Sequence, residues 1–150
     1  MLFGCRSKKE KIFENRYDPD HPLPRGITRD PGLAVYVDGW GRPGDLCLVA
    51  DDDGEVVGAA WARLFTGEDR GYGTVDSHTP ELCIAVSPAH RGRGVGEELL
   101  RRLLTLLAER GHVRASLSVQ KANPALHLYQ RLGFSVLQDR GDEYVMTSDP

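Results

Sequence analysis

The residues best spaced to do chemistry are Arg91-Gly92-Arg93-Gly94-Val95-Gly96, set between an apolar stretch, Leu82 to Val86, and a leucine-rich one that begins at Val95. Glycines at alternate positions let a backbone turn tightly and leave its N–H groups uncovered by side chains. Where such a turn runs into a helix, the free N–H groups of the first helical turn and the helix dipole together attract an anion. The stretch therefore predicts a cradle for a phosphorylated group, a pyrophosphate in the first instance; the alternative is a plain flexible turn with two solvated arginines. Residue type excludes two other phosphate loops. A dinucleotide fingerprint needs glycine where Glu97 stands, and a Walker loop needs Gly-Lys followed by Ser or Thr, which the chain lacks.

The cradle needs a strand before it and a helix after it. Leu82 to Val86 is too short for a typical helix and is bounded by Pro80 and by Ser87-Pro88, which predicts a buried strand. From Val95 the period changes. Val95, Leu99, Leu103 and Leu106/Leu107 recur at helical spacing, Leu100 and Leu104 widen the stripe, and Glu97, Glu98, Arg101, Arg102 and Glu109 fall largely outside it. Glu97 and Glu98 suit the first turn of this helix, Arg110 the last, and Gly111 its end.

Around this unit the chain reads as one domain, 1 to 150, with a polar and atypical segment from 1 to 32. Ser7 to Tyr17 predicts a short helix that Asp18-Pro19 to Pro24 cannot continue. Asp30-Pro31 opens another, which Gly39 ends. Leu46 to Ala50 and Val56 to Phe65 read as strands joined by a hairpin turn at Asp51-Asp52-Asp53-Gly54, and Thr79 starts the strand that leads to the cradle. After the long helix, Arg114 to Val119 is a strand and Asn123-Pro124 caps and opens a helix that Gly133 closes. Phe134 to Leu137 and Tyr144 to Thr147 form a terminal hairpin. The order predicts a mixed α/β sheet.

Composition narrows the function classes. A formal charge of -3 argues against a general nucleic-acid binder, which carries a basic surplus. Cys5, Cys47 and Cys83 are odd in number and far apart, and the five histidines lack ligand spacing, so neither a disulfide framework nor a metal site is expected. No apolar run reaches the length of a membrane span, and Met1 to Cys5 is too short for a signal-peptide core, which leaves a cytoplasmic protein as the expectation.

The pattern Arg91-x-x-Gly94-x-Gly96, entered from a strand and leading into a helix, resembles the acyl-CoA-binding motif of the GCN5-related N-acetyltransferase superfamily. A second block, Leu117 to Phe134, resembles that family's next strand and helix, with Asn123, Tyr129 and the closing Gly133-Phe134 in register. The likeness covers about residues 45 to 147. It implies a mostly antiparallel sheet with one splayed parallel pair flanked by helices, and acetyl-CoA as co-substrate. It implies that Arg91, Gly92, Arg93, Gly94, Val95 and Gly96 hold the pyrophosphate, that the backbone of Ile84, Ala85 and Val86 pairs with the pantetheine arm, and that Asn123 touches the cofactor besides capping its helix. Tyr129 matches the tyrosine that protonates or hydrogen-bonds the departing sulfur, and a phenol, with pKa near 10, is protonated at neutral pH. Glu81, just before the apolar strand, is the first choice for the base that deprotonates the amine, with His78 and Asp76 next and a solvated strand-end glutamate as the plain alternative.

The chain departs from the family at its start, where Met1 to Arg6 is a poor first strand; that edge is expected to be missing, vestigial or supplied by a partner, which would favour a homodimer. Tyr36, Trp40, Trp61 and Tyr72 are candidates to line an acceptor pocket for a small-molecule or peptide amine. Cys83 sits inside an apolar strand, where an unactivated thiol is inert, so direct attack in a ternary complex is expected rather than an acyl-enzyme. A catalytically silent acyl-CoA-binding module is the alternative from another class.

Overall fold

The computed structural model of the chain describes residues 2–4 and 29–148. In order these form β1 (Leu2–Gly4), α1 (Pro31–Ala34), β2 (Leu46–Asp52), β3 (Glu55–Arg63), β4 (Glu81–Val86), α2 (Val95–Glu109), β5 (Ser116–Gln120), α3 (Ala125–Arg131), β6 (Phe134–Asp139) and β7 (Glu143–Ser148). The strands make one sheet in the order β1-β2-β3-β4-β5-β7-β6. Every neighbouring pair is antiparallel except β4 and β5, which are parallel.

Side chains alternate across a strand, and the two faces of this sheet bury different sets. On one face, Leu46, Ala50, Ala60, Ala62 and Leu82 pack with the α2 stripe Val95, Leu99, Leu100, Leu103 and Leu107. On the other, Cys47, Val49, Ala59, Trp61 and Cys83 pack with Tyr36 and Phe65. Helix α2 comes down close on the sheet at Gly58, where a Cβ would stand 3.1 Å from Leu99 Cδ1 and 3.3 Å from Val95 Cγ1. That close approach seats the start of α2, and with it the cradle, directly beside β3 and β4. The far end of α2 is closed by His112 N–H to the Leu107 carbonyl and Gly111 N–H to the Ala108 carbonyl, both 2.9 Å, the paired bonds of a Schellman end.

The hairpin turn lies where the aspartates and glycine predict it. Asp53 and Gly54 both have positive φ, 49° and 88°, the geometry of a two-residue turn whose twist matches its strands. The helix opened by Asp30-Pro31 is shorter than expected: α1 ends at Ala34, and the chain goes on in turns to Gly39. The reason is a competing donor, since the Val35 and Asp38 carbonyls both accept from Arg63 Nη1, at 2.8 and 2.9 Å. Of the three expectations for the first strand, the vestigial one holds: Leu2–Gly4 of this same chain pairs antiparallel with β2, so the edge is short but filled from within and gives no ground for a dimer. The helix expected over Ser7 to Tyr17 lies outside the described residues.

Candidate active site

The two central strands join and then part. Glu81 pairs with Ser116, and Ser116 N–H donates to the Pro80 carbonyl at 2.9 Å, but the β4–β5 ladder holds no further pair. From that apex Ile84, Ala85 and Val86 run along one wall of a split, half-buried, with β3 paired to them on their other side. At the end of this wall a single 3-10 turn, Pro88–His90, leads into Arg91–Gly96.

The turn from Arg91 to Gly96 is open on its outer side. Gly92 and Gly94 have φ of 71° and 80°, and a Cβ at either would meet no protein atom within 4 Å, so the backbone there faces open space. Gly94 stands at the N-cap of α2, and no side chain caps the helix. The unclaimed N–H groups of its first turn are a ready anion site. Val95 turns inward and is buried, while Gly96 lies over Ile84, Val86 and Leu128, which a Cβ would meet at 3.5–3.6 Å. Arg93 is exposed at the rim, and Arg91 Nε donates to the Val86 carbonyl at 3.0 Å, tying the cradle to the end of β4.

At the apex Glu81 is 3% exposed. Its Oε1 accepts from Tyr36 Oη at 2.5 Å and Gly73 N–H at 2.9 Å, and its Oε2 accepts from Thr74 Oγ1 at 2.9 Å. All three donors are neutral. Burial pushes the carboxyl above its ordinary value, and these hydrogen bonds and the positive charge of Arg140 offset that only in part. The Tyr36 phenol is driven up as well, by burial and then by the carboxylate beside it, so it stays a donor. The other two candidates for a base are placed differently. Asp76 is exposed and accepts the N–H groups of His78 and Thr79, both at 2.8 Å, and the Thr79 hydroxyl, which together with the His78 charge hold it below its ordinary value. His78 is exposed too.

Tyr129 comes from α3 and is 4% exposed, its ring edge-on to Phe134 with centroids 6.1 Å apart. Burial, and then the neighbouring Cys83 thiol, push the phenol upward, so it carries its proton throughout the physiological range. Cys83 lies between Tyr129 and Glu81 electrostatically, and burial followed by the Glu81 charge raises its own pKa, which keeps the thiol protonated and unreactive. Asn123 Oδ1 accepts from Ala125 N–H at 2.9 Å, the capping role expected of it, which leaves its Nδ2 as the donor for a ligand. Cys83 thus neighbours both Tyr129 and Glu81, and the Gly-rich turn meets the β4 wall at Ile84 and Val86.

Residues 11–134 match the model of the acetyltransferase (GNAT) family. The chain belongs to that family. It is 35% identical over 115 residues to a mycothiol acetyltransferase of Clavibacter sepedonicus, a match that covers 76% of this chain and 34% of that protein. The chain therefore spans about a third of the length of that relative. It is 30% identical over 143 residues to a streptothricin acetyltransferase of Streptomyces lavendulae, covering 83% of this chain and 68% of that protein. A solved structure, yncA from Salmonella typhimurium with its cofactor acetyl-CoA, superposes with a TM-score of 0.59 at 27% identity, over 71% of this chain and 65% of that one.

Within this GNAT fold the four candidate aromatics part company. Trp61 is core, 2% exposed, and Trp40 lies under the Arg63 guanidinium, 5.0 Å from its ring centroid. Tyr36 is buried and Tyr72 is 44% exposed, the two rings stacked with centroids 6.4 Å apart. The sequence marks Gly71-Tyr72-Gly73 as a loop but does not show that this loop holds Glu81. Gly71, Tyr72, Gly73 and Thr74 wrap Glu81, and only glycine fits at Gly73, where a Cβ would stand 2.6 Å from the Leu117 carbonyl carbon and 2.7 Å from Ser118 N. The Gly71-Tyr72-Gly73 spelling was a signal of close backbone approach.

Proposed function

We propose that this chain is an acetyl-CoA-dependent N-acetyltransferase that joins an acetyl group to a primary amine, of a small molecule or a peptide, by direct attack with both substrates bound. One observation carries the reading: β4 and β5 are parallel neighbours that pair at a single position and open beside a glycine-lined, uncapped helix start. The Salmonella relative with its cofactor acetyl-CoA supports the choice of ligand. Arg91, Gly92, Arg93, Gly94, Val95 and Gly96 would hold its pyrophosphate, the backbone of Ile84, Ala85 and Val86 would pair with an extended amide-bearing arm, and Asn123, just ahead of α3, would donate to the cofactor from Nδ2. Bound there, acetyl-CoA supplies an acetyl group activated as a thioester.

The chain's own residues divide the remaining work. An amine with pKa near 10 arrives as an ammonium, and Glu81, made more basic than an ordinary glutamate by burial, takes its proton at the carboxylate. Tyr129 Oη holds a proton for the departing sulfur, and burial ensures that the proton is there to give. Backbone N–H groups along β4 are the natural donors to a developing oxyanion.

The test is release of free thiol from acetyl-CoA, with mass detection of the product, against a panel of an alkyl diamine, an aminoglycoside, free amino acids and short peptides. Amine-dependent release that falls about a hundredfold in Tyr129→Phe is expected, the lower end of what a positioned acid contributes. Acetyl-CoA binding without acetylation of any amine would return the silent binding module.

A further inference from the structure

Arg140 sits in the β6–β7 turn, on the β5 side of the sheet from Glu81. It is exposed, yet its guanidinium is held on two sides. Nη1 donates to the Tyr72 carbonyl at 2.7 Å, across 68 residues of sequence, while Nε and Nη2 both donate to Gln138 Oε1, at 3.1 and 2.8 Å. The turn itself is braced, with Asp139 Oδ1 accepting Gly141 N–H at 3.0 Å and Lys121 Nζ at 2.7 Å. The peptide that Arg140 grips leads straight to the carboxylate. Tyr72 N–H donates to Tyr36 Oη at 2.5 Å, Tyr36 Oη donates to Glu81, and the next residue, Gly73, donates its N–H to the same Oε1. The loop also bears directly on β5 at Leu117 and Ser118.

We infer that Arg140 is a positioning residue for Glu81: from the β6–β7 turn it clasps the loop Gly71 to Thr74 and so holds in place the donors that aim the carboxylate. The inference rests on the reading of Glu81 as the base. Tyr36 faces Glu81 from the turn after α1, Cys83 from two residues along β4, Arg63 from the opposite position on β3, and Arg140 from the β6–β7 turn. The Arg63 guanidinium is engaged with Asp45. The charge of Arg140 therefore adds to the hydrogen bonds from Tyr36, Gly73 and Thr74 that partly offset burial at Glu81, and its guanidinium also anchors the loop that carries two of those donors.

The experiment is carboxyl NMR on the full chain with glutamate labelled at Cδ, Glu81 being assigned by its loss in Glu81→Gln, together with amide exchange at Gly73. In Arg140→Gln the Glu81 midpoint should rise by roughly 0.5 to 1 in pH, a three- to tenfold change in its protonation ratio. Gly73 should exchange about tenfold faster, with the melting temperature unchanged. Arg140→Lys, which keeps the charge but not the forked grip on Tyr72 and Gln138, should return the midpoint only in part and leave Gly73 exchange fast; full return of the midpoint with exchange still fast also overturns the inference. Unchanged midpoint and exchange in Arg140→Gln overturn the inference, and so does a shifted midpoint without faster exchange, because Arg140 would then act by charge alone. Failure of the base reading shows elsewhere, as undiminished acetyl transfer by Glu81→Gln, and the carboxyl titration does not depend on it.

Discussion

Arg63 and Glu81 stand opposite each other on β3 and β4, both almost wholly buried, and the fold treats them in opposite ways. Arg63 is compensated on every side. Its Nε and Nη2 meet the two oxygens of Asp45 at 3.0 and 2.7 Å, Nη1 meets two carbonyls, and its face covers Trp40. Glu81 receives neutral donors alone, and burial outweighs them. A buried charge that is fully paired is architecture, here the knot that ties the α1 turns to the sheet. One left undercompensated stays movable in its protonation, which is what a base requires.

The comparison breaks first at Arg63. Arg63→Ala or Asp45→Ala leaves an unpaired buried charge and should cost about 3–5 kcal/mol in urea unfolding. Glu81→Gln should do the reverse, lowering kcat/KM about a hundredfold or more while unfolding free energy changes by less than about 1 kcal/mol, since the amide keeps an oxygen for Tyr36 and Gly73.

Acidity sharpens the contrast. Desolvation works to raise Asp45, but the Arg63 hydrogen bonds and the Gly41 N–H prevail, and its folded pKa lies below the ordinary 3.8. Its stabilisation is whole above that value and disappears as pH falls through the folded pKa. The folded pKa of Glu81 lies above the ordinary 4.5, so its contribution is whole below 4.5 and is lost as pH rises through the folded value. Unfolding between pH 3 and 8 should therefore show Glu81→Gln gaining on the wild type as pH rises, and Asp45→Asn closing its deficit as pH falls below about 4. The smallest effect belongs to an exposed charge pair on the outer face of α2. Glu98→Ala breaks the exposed Arg102 pair of 2.6 Å and should cost no more than about 0.5 kcal/mol by the same unfolding measurement.

What the sequence displayed was whatever short range decides. The Asp53-Gly54 turn, the stop at Gly111, the cap at Asn123 and the run from β4 through the cradle into α2 are each set by neighbours a few residues apart, and each stands where its residues predict. The pairings that distinguish the two buried charges are long-range. Asp45 lies 18 residues from Arg63, and Tyr36 lies 45 from Glu81. In a strand read by alternation, Arg63 looks like one more outward residue, and nothing local announces the carboxylate and carbonyls waiting for it. The same blindness explains α1, whose expected length ignored the guanidinium that takes up the Val35 and Asp38 carbonyls. Glu81 was legible as a candidate base by its place ahead of the strand, but not the loop that holds it.

The measurement that tests the account most directly is isothermal titration of the full chain with acetyl-CoA, beside Gly94→Ala. Alanine at Gly94 adds a methyl to open space at the head of α2, at a φ of 80° that costs it about 1–2 kcal/mol, and leaves the packed core untouched. The account predicts saturable one-site binding to the wild type, weakened about tenfold or more in a folded Gly94→Ala. Absence of binding to the wild type, or equal affinity in the two proteins, would contradict the cradle on which the assignment stands.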